Sequence, residues 1–243
     1  MRSMIWPQVV GVVALSFGAA GCGDDHSDVT VPTAAELASS LVTTGVFEGE
    51  WTINEPPEGS EGPSPGVITD EQREMLPTFE LCDRASEESR AAAEQLTWTA
   101  FRQLDLAVED PIQPPDDRTG HMVFVQEFLT SGRPDEVETT FGLLRDGMQA
   151  CLGDIPAGEE GPGNAEAMAL PDVGDDRSGV LITIEEAGGG AEWRLHNALV
   201  RQDAVLMLLD VVDIVAGEGV EPYYSVEDVG GFVDLAVERL PSV

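Results

Sequence analysis

Residues 179–216 read GVLITIEEAGGGAEWRLHNALVRQDAVLMLLDVVDIVA, and they decide the fold. Three strands are predicted, over Gly179–Glu186, Glu192–Arg201 and Ala204–Val215. Gly188-Gly189-Gly190 turns the first pair and Gln202-Asp203 the second. Connections this short join antiparallel strands, because a parallel pair needs a crossover of a dozen residues or more. The third strand is apolar on both faces for most of its length, which places it in the centre of a sheet.

Outward from this core, the chain alternates between helix and strand signals. Upstream, Arg133-Pro134 opens a helix whose Val137, Phe141, Leu144, Met148, Cys151 and Leu152 share one face. Before it come strand candidates at Leu96–Val108 and His121–Leu129, and an Ala-rich helix over residues 80–95. Thr33 with Glu36 and Thr69 with Gln72 are capping boxes that start two further helices. Glu50–Asn54 alternates as a short strand, and residues 55–66 and 153–177 are rich in Gly and Pro and read as loops. Downstream, Ser225 with Asp228 starts a helix over residues 225–240. The expected fold is α+β: a mostly antiparallel sheet of five to six strands with helices packed on one face.

The N-terminus predicts export. Arg2 precedes an apolar run from Met4 to Phe17, and Gly18, Ala19, Ala20 and Gly21 lead into Cys22. That is a signal-peptide pattern. The run is shorter than the about 20 residues that cross a bilayer. Ala-Ala-Gly-Cys resembles the lipobox of bacterial lipoproteins, which implies cleavage after residue 21 and diacylation of Cys22. Two acyl chains anchor stably without a basic patch. The alternative is an ordinary secreted protein cut near Cys22. Residues 1–21 are then signal peptide, 22–32 a polar tether and 33–243 one domain. Three cysteines leave one unpaired, so a lipid on Cys22 leaves Cys82 and Cys151 to bridge in an oxidising compartment. The alternative is two buried free thiols.

Charge narrows the partners. There are 46 acidic residues against 12 basic ones, giving a formal charge of −34, and every basic residue is Arg. Such a surface repels nucleic-acid backbones and anionic lipid head groups, so neither is an expected partner through charge. A GC-rich genome and a salt-rich habitat both produce a chain without lysine.

No catalytic or metal-binding set emerges. Gly62-Pro63-Ser64-Pro65-Gly66 matches the serine nucleophile pattern but lacks the strand and helix that pattern needs. His26 lies in the tether, His121 opens a strand and His196 sits within one. None has a nucleophile and an orienting acid in sequence reach. Asp116-Asp117-Arg118-Thr119-Gly120 and Asp175-Asp176-Arg177-Ser178-Gly179 share one pattern before a strand. Turn chemistry accounts for it, and a weak cation site is the sharper alternative. Arg73, Arg84 and Arg90 read as surface ion-pairing residues, and Trp51, Trp98 and Trp193 as core. Tyr223 and Tyr224 read as sealing the end of the core, or as lining a cleft.

Several stretches carry a resemblance: VITDEQREMLPTFELCDRASEESRAAAEQLTWTAFRQ, MVFVQEFL, LRDGMQACLGD, LPDVGDDRSG and HNALVRQDAVLMLLDVVDI. They resemble uncharacterised lipoproteins of high-GC Gram-positive (actinobacterial) bacteria and, more distantly, the PknH-like extracellular sensor domain. That family implies an antiparallel sheet with helices on one face, and a ligand cleft without catalytic residues. It occurs as kinase ectodomains and as free lipoproteins. It typically has two disulfides, where this chain can make one. The expected function is therefore a non-enzymatic, lipid-anchored domain on the extracytoplasmic side of the cell membrane. It binds a small ligand or an envelope protein and needs no cofactor. The alternatives are a structural subunit of the envelope and a hydrolase without a motif.

Overall fold

The computed structural model describes residues 30–54, 82–108, 120–155, 161–186, 190–217 and 220–241. In chain order its elements are α1 (Ala34–Ser40), β1 (Trp51–Ile53), α2 (Glu87–Gln95), β2 (Ala100–Leu106), β3 (Gly120–Ser131) and α3 (Pro134–Ala150). There follow β4 (Gly153–Ile155), β5 (Gly163–Met168), β6 (Asp176–Glu185), β7 (Ala191–Gln202), β8 (Val205–Ala216) and α4 (Val226–Val237). The second predicted capping box, Thr69 with Gln72, lies outside the described residues, as does the loop over residues 55–66.

All strands join one antiparallel sheet in the order β1-β2-β3-β8-β7-β6-β5-β4. Among the described residues the sheet has eight strands, not five to six. The two unforeseen strands, β4 and β5, lie in the stretch predicted as a loop. Gly163–Met168 reads GNAEAM and has no β-branched or aromatic residue. It becomes a strand because β6 offers it a complete edge, pairing Gly163 with Ile184 through Met168 with Gly179. Context sets strand formation more than intrinsic preference does.

Strand β8 is central, as its sequence requires. Its turn from β7 falls one residue later than predicted, at Asp203 and Ala204, with Asp203 at φ 51°. Asp is among the few residues that enter the left-handed region at modest cost.

The helices cover both faces of the sheet, which corrects the expectation of one. Val205, Met207, Leu209 and Val211 of β8 join a core cluster with Leu37 of α1 and Val229, Phe232 and Val233 of α4. Leu206 and Leu208, pointing the other way, join Val137, Phe141, Leu144 and Met148 of α3. A strand apolar on both faces needs a layer on each.

Local chemistry fixes the helix ends. Thr33 and Glu36 cap α1 reciprocally, and Ser225 and Asp228 do the same for α4. Arg102 donates to the carbonyls of Leu41 and Val42, and Arg239 to those of Ser40 and Leu41. These guanidiniums satisfy the orphan carbonyls at the end of α1. Between them, the fully buried Glu127 accepts the Val42 N–H at 2.6 Å. Cys82 is bonded to Cys151, with Cα atoms 5.6 Å apart, tying the approach to α2 to the end of α3. Arg84 completes the joint by donating to the carbonyls of Cys151 and Leu152.

Candidate ligand-binding face

The face that carries α2 and α3 is only half covered by described helices. Its residues can be read as rows running across the strands. Under the helices lies the row Phe101, Phe128, Leu208 and Leu199. The next row is polar: Gln103 on β2, Gln126 on β3, Asp210 on β8 and Asn197 on β7. Beyond it come two apolar rows. The first is Phe124, Val212, Leu195 and Ile182, and the second is Met122, Ile214, Trp193 and Ile184.

The apolar rows form the outer half of this face. Met122, Phe124, Val212, Ile214, Trp193 and Leu195 belong to neither helix-covered cluster. Val212 and Ile214, on the central strand, are buried. Phe124 and Leu195 beside them are half-buried, and both Met122 and Trp193 are 41% exposed. Two large apolar side chains at that exposure, one strand apart on either side of Ile214, make a patch rather than scattered surface residues.

The polar row is a chain of side-chain hydrogen bonds. Gln126 Nε2 donates to Gln103 Oε1 at 2.9 Å, and Gln103 Nε2 donates to Asp105 Oδ1 at 2.7 Å. Asn197 Nδ2 donates to Asp210 Oδ1 at 2.7 Å. Burial pushes the Asp210 carboxyl up to about 7, and the Asn197 bond only partly offsets it. A half-buried carboxyl raised by burial, at the edge of an apolar surface, makes this row a candidate for the polar side of a binding site.

The other face of the sheet is polar at the same end. Asp213 is fully buried, and its Oδ2 accepts the backbone N–H of Tyr223 at 2.5 Å and of Tyr224 at 3.4 Å. Arg194 lies directly across from it on β7, and His121 Nδ1 is 3.6 Å from Asp213 Oδ1. His196 is fully buried two residues from Arg194. Burial, then the Arg194 guanidinium, pull its imidazole down to about 4, so it is neutral at pH 7. Among the described residues, six buried side-chain polar atoms have no hydrogen-bond partner. Five of them belong to His121, Arg194, His196 and Asp213. Buried groups of this kind are normally met by bridging water.

The structure sorts the other predicted residues. Cys22, His26, Ser64, Arg73, Asp116 and Asp117 lie outside the described residues. Asp175 and Asp176 are engaged by Arg201, and Asp175 also takes the Asp203 N–H. Arg177 pairs with Asp172, and Ser178 accepts from Gln149. That run therefore builds the β6–β7 junction. Arg145 and Arg177 flank a hollow of about 220 Å³ beside α3, each guanidinium already paired with an acid. Arg84 and Arg90 bond backbone carbonyls rather than the helical glutamates expected of them. Trp51 and Trp98 are core, but Trp193 is on the surface. Tyr224 seals the core end against Trp51 and Phe232, and Tyr223 is 45% exposed beside His121.

Asp210, Asn197, Gln126 and Gln103 went unnoticed in the sequence. Their only signal is that Asp210, together with Asp213, interrupts the apolar run of residues 204–216. Cross-strand register is needed to see that they form one row.

No family model matches the chain, and no curated protein does. Among solved structures, the chain is similar to the extracellular domain of PknH from Mycobacterium tuberculosis. The TM-score is 0.50 at 14% identity, over 87% of this chain and 97% of that one. The human StarD13 (DLC2) lipid transfer and protein localization domain aligns at 8% identity over 63% of this chain and 93% of that one, with a TM-score of 0.19. The likeness to the PknH extracellular domain is one of fold: a single, mostly antiparallel sheet with helices.

Proposed function

We propose that this chain is an exported domain, anchored by acylation of Cys22, that binds an apolar ligand on the outer half of the α3 face without converting it. The observation that carries the reading is the pair of apolar rows ending on the Gln103–Gln126–Asp210–Asn197 row. An apolar surface edged by a few placed polar groups is how ligand sites combine affinity with orientation. The amides and the carboxylate of that row supply donors and acceptors that can orient a ligand. The fold likeness to an extracellular domain supports the extracytoplasmic setting. No helix among the described residues is long and apolar enough to cross a membrane; the proposed anchor is the lipid on Cys22.

Two experiments test this. Cys22→Ala releases the protein into the medium, and membrane retention of that variant contradicts the anchor. Trp193 is the one described tryptophan exposed on the sheet, so ligand binding alters its fluorescence. A Trp193→Phe variant then loses the response while Trp51 and Trp98 remain. An exposed Met122 and Trp193 also suit an envelope protein as occupant. Co-purification of such a protein, lost in Trp193→Ala, is the outcome that favours that alternative.

A further inference from the structure

We propose that this face takes a hydrophobic cation: an ammonium head on the Asp210 carboxylate, and an apolar body running along β8 against the accessible side chains of Phe124 and Met122 on β3 and of Leu195 and Trp193 on β7. The inference rests on the ligand-binding reading of the face and names the class of ligand.

Geometry gives the shape. Asp210, Val212 and Ile214 point to the same side of the central strand, with Asp210 nearest the helices. From Asp210 to Ile214 the strand advances roughly 13 Å. Flanking side chains from two neighbouring strands follow the same line, Phe124 then Met122 on one side and Leu195 then Trp193 on the other. The result is a track with one charged end and an apolar length.

Hydrogen bonding gives the sign. Gln126 is the cross-strand neighbour of Asp210, but its amide donates away, to Gln103, and the Gln103 amide donates further away, to Asp105. Among the described residues Asp210 accepts from Asn197 alone. Its second carboxylate oxygen keeps acceptor capacity, because an ionised carboxyl accepts on both oxygens. No arginine stands in the row, in contrast to Glu127. A partly desolvated carboxylate in this position gains most from a donor that carries positive charge. The chain as a whole, at −34, attracts cations and repels anionic amphiphiles.

The test uses three probes with the same ten-carbon chain: decylammonium, decanol and decanoate. Each is titrated into the full chain carrying Cys22→Ala, which removes the acylation position, and read by Trp193 fluorescence and calorimetry. Decylammonium binds at least roughly tenfold more tightly than decanol, the scale of one charge-assisted hydrogen bond, and decanoate binds most weakly. Asp210→Asn keeps an acceptor for Asn197 but lacks the charge. It brings decylammonium to the level of decanol in the same variant. If decanol matches decylammonium, or Asp210→Asn keeps the preference, the cation assignment is overturned while the face stands as an apolar site. If no probe perturbs Trp193, the ligand-binding reading itself fails, and the cation assignment with it.

Discussion

Glu127 and Asp210 sit on adjacent strands and opposite faces of the sheet, and burial pushes both carboxyls to about 7. Their surroundings differ. Glu127 is fully enclosed, accepts the Val42 N–H, and has Arg102 and Arg239 beside it. Those arginines hold the end of α1 and act on this carboxylate by charge, while its Oε1 has no hydrogen-bond partner among the described residues. Asp210 is half-buried and meets only the amide of Asn197 among the described residues, with the outer apolar rows beyond it. The same raised pKa therefore accompanies two settings: an enclosed carboxylate beside two arginines, and a half-buried one at the edge of an apolar surface. What separates them is the partner, not the shift.

The largest expected effect breaks or confirms the difference between the two faces. Phe232 packs against Phe47, Trp51 and Tyr224 on the covered face. Phe232→Ala should cost about 3–5 kcal/mol in urea unfolding. Trp193→Ala on the outer half should cost under about 1 kcal/mol, as surface substitutions do. Equal losses would mean that the outer half is as tightly packed as the core.

A smaller effect sharpens the comparison of the two carboxyls. Each folded-state pKa lies above its unfolded value. Each group therefore contributes stability that is whole below the unfolded pKa and is lost as pH rises through about 7. Glu127→Gln and Asp210→Asn should each flatten the decline in unfolding free energy between pH 5 and 8 by about 2–3 kcal/mol. Both variants keep an acceptor for the existing donor. A slope unchanged from that of the parent chain, in either variant, would place that carboxyl in a wetter setting than the structure shows.

Local chemistry was legible in the sequence where it needs few residues. The Thr33–Glu36 and Ser225–Asp228 caps are complete within four residues, and both are present. The central place of β8 followed from a run apolar on both faces. That same run required helices on both sides, an implication the single-face expectation missed. Strand β5 was illegible because GNAEAM owes its extension to the edge of β6. Trp193 was read as core because alternation assigns a side chain to a face without telling whether anything covers that face. The candidate site was hidden for a related reason. Asp210, Asn197 and Gln126 come from three strands, and only their register makes them neighbours. The odd cysteine count was a stronger signal, since only one partner was available to Cys82 once Cys22 was set aside.

The central claim is that the outer half of the α3 face is a binding surface, and Met122 tests it most directly. A methionine 41% exposed on that face oxidises readily to its sulfoxide. Peptide mass spectrometry would follow Met122 oxidation by peroxide in the folded full chain, with and without saturating decylammonium or decanol. The account predicts that either ligand slows Met122 oxidation severalfold. An oxidation rate at Met122 unchanged by both would contradict it.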